Sequence, residues 1–429
     1  MSLRGHEVEG RLDALYALGG GEGANRPGLS AAEEEAHELA ASWMAEAGLE
    51  IERDSAGNTF GRLRGTDPDL GEVWVGSHLD TVPSGGRLDG ALGVVAGIGA
   101  LERLAELPWA RTLAVVAFRD EEGWRFGRGF FGSRAVCGLI KREDLEARDR
   151  EGTAASEALR GLGLEPLEPG RGTALLPAFF VEAHIEQGPI LADAGVPLGV
   201  VDAITGMTGL RVVFSGPGGH AGTVPLAGRR DALAAAAAYM LALRHAARAE
   251  PGAVATVGEC AVPGGAANVV PRAVELTVDA RAPQRGSLDR LLAEAERLAP
   301  LAAAEEGCEA AVERLYDYDP VPMAPRVRTL LCDAVRRVSA EPVELTSGAG
   351  HDAGILAAAG VPAGLLFVCS GAGGASHSPA ETTDTEAIAL CVEVLAITLA
   401  KLAGAPYSGG SQPARVRDHH NRYDAYGRA

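Results

Sequence analysis

Two rhythms of secondary structure share this chain, and one is nested inside the other. Strand Val73–Ser77, helix Ala91–Glu106, strand Thr112–Phe118 and strand Ala178–His184 follow the alternation expected of an α/β sheet. After Gly206 the pattern changes to Leu210–Ser215 (strand), Arg230–Ala247 (helix), Ala253–Glu259 and Val274–Ala280 (strands), Leu288–Ala303 (helix) and Glu309–Leu315 (strand). The order β-α-β-β-α-β is the ferredoxin-like split arrangement. Past Ala324 the first rhythm returns: a helix to about Val338, strand Val343–Leu345, helix Ala353–Ala359, strand Gly364–Val368 and helix Thr385–Leu402. The pattern predicts a discontinuous α/β domain, residues 1–207 and 319–404, interrupted by a smaller α+β domain at 208–318. Near the start, Ser30-Ala31-Ala32-Glu33 reads as a capping box that opens a helix to about Ala47, with Gly48 as its stop.

A chain of 429 residues has room for two or three domains and a substantial core. Its net charge of −19, with no basic run, argues against nucleic acid or an anionic membrane as a partner. The first residues contain no apolar signal-peptide core, and no stretch approaches the ~18 apolar residues of a membrane span. A cytoplasmic location is the resulting expectation. The six cysteines are scattered without a CxxC pair, which fits free, buried thiols better than a disulfide framework or a zinc knuckle. Residues 405–429, rich in Gly, Ser, Pro, Arg and Asp, read as a mobile tail in which His419-His420 is solvated.

Residues suited to metal chemistry gather at predicted strand ends. After the apolar run Val73-Trp74-Val75 come His78, Asp80 and, past a glycine-rich turn, Asp89. Asp120-Glu121-Glu122, Glu182-Ala183-His184-Ile185-Glu186 and Ser376-His377-Ser378 add further imidazoles and carboxylates. Such donors suit borderline divalent ions, and four clusters on one chain point to a two-metal hydrolytic site. The turn Pro83-Ser84-Gly85-Gly86 lacks both the Lys-Ser/Thr of a P-loop and the spacing of a dinucleotide fingerprint, so it reads as a device that delivers Asp89.

Six motifs occur in order: His78-x-Asp80, Gly86-x-x-Asp89-Gly90, Glu121-Glu122-Gly123-x-Arg125-Phe126, His184-Ile185-Glu186-Gln187-Gly188-Pro189, Gly219-His220-Ala221-Gly222 and Ser376-His377-x-Pro379-x-Glu381. From about Arg11 to Gly404 the chain resembles the metal-dependent amidase/hydantoinase/carbamoylase family. That family includes N-carbamoyl-L-amino-acid hydrolases, β-ureidopropionases and allantoate amidohydrolases, within the co-catalytic metallopeptidases. The resemblance implies a metallopeptidase-like catalytic domain, a mixed sheet flanked by helices, whose inserted ferredoxin-like domain serves as lid and dimerisation unit. It implies two divalent ions per subunit (zinc, manganese, cobalt or nickel), a small anionic amino-acid-derived substrate and a homodimer.

By position, His78 and His184 resemble the ligands of one metal, Glu122 and His377 those of the other, and Asp89 the bridging carboxylate. Asp80 is expected to orient His78. Glu121 resembles the general base, which takes a proton from the attacking water and delivers it to the leaving nitrogen. His220, Asn268, Arg281, Gln187 and His351 match positions that contact substrate. Arg281 suits an α-carboxylate, because a guanidinium fork matches it bidentately. His220 resembles a residue of the oxyanion site that often reaches the partner subunit's cleft, and helix capping is the competing account of His351. The implied reaction is hydrolysis of an N-carbamoyl-L-amino acid to the L-amino acid, ammonia and carbon dioxide. An allantoate amidohydrolase, or an N-acyl amino acid or dipeptide hydrolase, is the alternative. In the peptidase branch a carboxylate is expected at the His184 position. A non-catalytic binding protein on this fold would be expected to carry degraded ligands, whereas Glu121 and all five ligands are present. The segments 19–27 and 371–375 depart from the family pattern, which bears on pocket size.

Overall fold

The computed structural model describes residues 5–164, 167–339 and 341–404, so the tail expected at 405–429, with His419-His420, lies outside the described residues. A nine-stranded mixed sheet forms the larger body. Its path runs Glu50–Arg53, Thr59–Leu63, Leu113–Phe118, Val73–His78, Phe179–Ile185, Ala363–Val368, Leu198–Ile204, Val321–Pro322, with Val343–Ser347 pairing parallel to Leu198–Ile204. The central strands are apolar without alternation because both faces are covered. Val73 and Val75 join a core with helices Gly5–Tyr16, Ala91–Leu104, Pro325–Val338 and Thr385–Ala403. Trp74, between them, points the other way, into a core with Phe60, Phe118, Phe180 and Phe367. A period of two on one strand thus feeds two cores.

The inserted segment builds a second, four-stranded sheet in the order Glu309–Tyr318, Gly206–Ser215, Ala273–Ala282, Val254–Ala261, antiparallel throughout. Along Ala273–Ala282 every second side chain is buried, and Val274, Leu276 and Val278 meet helices Ala232–Ala249 and Arg285–Glu305 in a core of their own. This is the β-α-β-β-α-β order read from the sequence.

Other expectations need correction. The strand expected from Leu210 begins at Gly206, because its ladder continues through Gly206↔Ala282 despite two glycines of poor strand propensity. Helix Gly5–Tyr16 and strand Leu198–Ile204 escaped the periodicity reading. The latter pairs antiparallel with Ala363–Val368, adding to the antiparallel pairings of Thr59–Leu63 that make the sheet mixed. Ser30 does cap its helix by accepting from the Glu33 amide, but the Glu33 carboxylate accepts from Leu29 N and Asp120 N instead of returning to Ser30. His37, on helix Ala31–Glu46, is fully buried and lies 2.9 Å from Thr59 Oγ1. All six cysteines are free; Cys332 and Cys391 are buried, whereas Cys260 is exposed on an edge strand. No helix of the described residues is long and apolar enough to cross a membrane.

Candidate active site

His78 ends strand Val73–His78, and His184 stands one residue before the end of Phe179–Ile185. These strands run parallel with Gly76 opposite Glu182, so two residues on both imidazoles leave the same edge of the sheet. Ligands in open α/β sheets bind at this carboxyl edge. Asp89 comes between them at the start of helix Ala91–Leu104. The His184 Nε2 lies 3.0 Å from Asp89 Oδ1, and the His78 Nε2 3.7 Å from the same oxygen. Asp89 Oδ2 lies 3.3 Å from His377 Nε2, which is also 3.3 Å from Glu122 Oε2. Donor atoms of His78, Asp89 and His184 lie within 4.8 Å of one another, as do those of Asp89, Glu122 and His377. The five residues matched to metal ligands thus fall into two triads that share one carboxylate. Gly90 has a φ of +63°, and a Cβ there would sit 2.5 Å from the His78 ring, so this position admits glycine alone.

Asp80 does two jobs. Its carboxylate lies 3.3 Å from His78 Nδ1, and its two oxygens accept the amides of Glu121 and Glu122 at 2.9 and 3.0 Å. The turn it braces is strained, with non-glycine Asp120 at φ +46°. That bend separates the adjacent glutamates: Glu122 enters a triad, while the Glu121 Oε2 stands 3.7 Å from His78 Nε2. Burial, reinforced by Glu122, Asp352 and Asp80, pushes the Glu121 carboxyl well above the usual range against the pull of His78.

Glu381, quoted in a motif but given no role by the sequence, is buried and accepts the Leu88 and Asp89 amides, the latter at 3.0 Å. It fixes the backbone that carries the shared carboxylate. A Cβ at Gly86 would lie 2.2 Å from the Glu381 carboxyl carbon, so the glycine-rich turn makes room for this contact. The signal was its place four residues after His377. Gln187 donates from Nε2 to Asp89 Oδ2 at 3.0 Å and to Ser376 Oγ at 2.8 Å.

A cavity of about 510 Å³ is lined by all five triad residues, Glu121, Gln187 and Arg281. Arg281 spends Nε and one terminal nitrogen on Asp279 (2.6 and 3.2 Å) and the other on Gly348 O (2.9 Å). With five N–H groups on a guanidinium, one remains on each terminal nitrogen. Three residues matched to substrate contacts do not line this cavity. His220 and Asn268 are exposed neighbours on the smaller domain, where His220 pairs with Val269 and Ala221 N donates to Asn268 O. His351 is buried, its ring centroid 4.6 Å from that of His184 and its Nε2 3.0 Å from Ser347 Oγ. It occupies the N-cap of helix Asp352–Ala358 without a side-chain capping bond.

The profile of peptidase family M20/M25/M40 matches residues 74–401. The chain belongs to this family. An N-carbamoyl-L-amino acid amidohydrolase of Geobacillus stearothermophilus is 40% identical over 390 residues, covering 89% of this chain and 94% of that protein. The allantoate amidohydrolase of Bacillus subtilis (strain 168) is 34% identical over 366 residues, 84% of this chain and 88% of that one. Among solved structures, an amidase of the hydantoinase/carbamoylase family from Burkholderia vietnamiensis superposes with a TM-score of 0.87 at 30% identity, covering 94% and 98% of the two chains. The M20 family is metal-dependent, and the residues here fit a divalent cation. Glu122 Oε1 is buried with no hydrogen-bond partner, an orphaned oxygen on a carboxylate whose Oε2 meets His377. The carboxylates around His377, Asp89 and Glu122, push its pKa up to about 11, because the negative charge gathered there favours a cationic neighbour.

Proposed function

We propose that this chain is a binuclear metal-dependent amidohydrolase that cleaves a linear ureido or amide C–N bond in a small anionic substrate, with N-carbamoyl-L-amino acids as the leading class. The observation that carries the reading is a single cavity in which a carboxylate shared by two triads faces a glutamate outside both triads and a guanidinium with unspent donors. His78, His184 and Asp89 would hold one divalent ion, and Glu122, His377 and Asp89 the other. Zinc, manganese, cobalt and nickel all suit this donor set. Bound there, such ions act as Lewis acids and lower the pKa of water from 15.7 to about 7.

The protein's own groups do the rest. Arg281 grips the substrate α-carboxylate with its two remaining N–H groups, held in aim by Asp279. Gln187 keeps Asp89 oriented. Glu121 takes the proton of the attacking water at Oε2 and returns it to the leaving nitrogen. The carbamate left over breaks down to ammonia and carbon dioxide.

Metal-stripped protein reconstituted with manganese or zinc is expected to release ammonia from N-carbamoyl-L-amino acids faster than from allantoate. Preferred turnover of allantoate would move the chain to the alternative branch. Silence on both with two ions bound would move it to N-acyl amino acids or dipeptides.

His220 and Asn268, exposed away from their own chain's cavity, support a homodimer through the smaller domain in which each would complete the partner's oxyanion site, and that domain would close as a lid. Equal mixtures of the His220→Ala and Glu121→Gln variants are then expected to regain about a quarter of wild-type activity after subunit exchange, as one in four cavities receives intact copies of both groups. No recovery, or a monomer in sedimentation, would exclude the arrangement.

A further inference from the structure

The cavity has a third wall, and it carries no charge. Met207 and Tyr318 are paired across adjacent strands, and Tyr316 stands two residues before Tyr318, on the same face, opposite Gly209. Phe130 packs edge-on against Tyr318, with ring centroids 5.7 Å apart and planes at 89°. All four residues line the cavity that holds the triads. Glycines make room for them: a Cβ on Gly209 would fall 2.4 Å from the Tyr316 ring, and one on Gly350 2.5 Å from Met207 Cε and 2.6 Å from Phe130 Cζ. The hydroxyl groups of this wall are engaged elsewhere. Tyr316 donates to Asp279 Oδ2 at 3.1 Å, and Tyr318 accepts from Arg128 Nε at 3.4 Å. Asp279 also holds Arg281, so one carboxylate fixes the Tyr316 ring and the guanidinium relative to each other.

We propose that Phe130, Met207, Tyr316 and Tyr318 form the side-chain subsite, and that it selects N-carbamoyl-L-amino acids with a large apolar or aromatic side chain over glycine derivatives and over allantoate. The inference rests on the ureido-hydrolase reading above. An α-carbon presents three groups: its carboxylate is drawn to Arg281 and its ureido carbonyl to the triads, which leaves the third substituent to the ring wall. An apolar side chain there leaves water for an apolar surface. Allantoate carries a second ureido group in that place, whose N–H and C=O groups would lose their water against rings that offer a single unspent donor, the Tyr318 O–H. A pocket of this kind distinguishes substrates by roughly 10–200-fold per methylene-sized difference.

The test compares N-carbamoyl-L-phenylalanine, N-carbamoyl-L-methionine, N-carbamoylglycine and allantoate on manganese-loaded protein. The phenylalanine and methionine derivatives are expected to exceed the glycine derivative in kcat/KM by roughly 10²-fold. Met207→Ala and Phe130→Ala should each lower that ratio about tenfold, and Met207→Leu should restore most of it. Calorimetry supplies a readout without turnover: the product L-phenylalanine should bind more tightly than glycine, and Met207→Ala should reduce the difference. Equal turnover of the glycine and phenylalanine derivatives, or ratios unmoved in both alanine variants, would overturn the subsite while leaving the ureido-hydrolase reading intact. If no ureido compound is turned over, both fall together.

Discussion

Glu121→Gln is expected to lower kcat by about 10³-fold, within the 10²–10⁴ that a positioned acid–base group supplies, with KM little changed and two metal ions still bound per chain. Glu121 is the cavity-lining carboxylate that belongs to neither triad, so its loss leaves both donor sets whole. The glutamine keeps the shape and the amide contact to Asp80, which runs through the Glu121 backbone. What disappears is an oxygen able to accept a proton beside the scissile bond. Metal analysis together with steady-state kinetics separates this from structural damage: a variant that has lost metal as well as turnover would mark Glu121 as part of the metal site. Turnover within tenfold of wild type would place the proton transfer on another group.

The two triads were legible in the sequence because each of their residues sits in a short motif at the end of a strand or loop, and such motifs survive linear reading. The smaller domain was legible because its strands bury every second side chain. What escaped depends on packing between distant segments. The ring wall joins Phe130, Met207, Tyr316 and Tyr318 from three parts of the chain, and nothing local distinguishes those residues from core. Strand Leu198–Ile204 carries Asp202 and follows a proline-containing turn, so its apolar run looked short. Glu33 carries a local capping signature, yet the buried Arg119 and the Asp120 amide draw its carboxylate to the turn that bears Glu121. His220 and Asn268 were named from motifs, but where they point is a property of the folded smaller domain.

Asp89→Asn should have the largest effect on the metal centre, and the surrounding hydrogen bonds say which ion goes. Asp89 Oδ2 accepts from Gln187 Nε2 and from Ser376 Oγ, at 3.0 and 3.2 Å. An asparagine satisfies those donors by turning its oxygen toward them, which keeps an acceptor on the His377–Glu122 side. Its NH2 group then occupies the Oδ1 position, 3.0 Å from His184 Nε2, and an amide nitrogen that donates cannot ligate a cation. The backbone is not at risk, since Glu381 holds the Asp89 amide whatever the side chain. Metal content should therefore fall from two ions to one per chain, with kcat down at least about 10³-fold, as expected when several kcal/mol of Lewis-acid stabilisation are lost. Adding His377→Ala to Asp89→Asn should remove the remaining ion, whereas adding His184→Ala should not. Two ions retained in Asp89→Asn would mean that the triads bind independently, and that the shared carboxylate orients the site without holding the metals together.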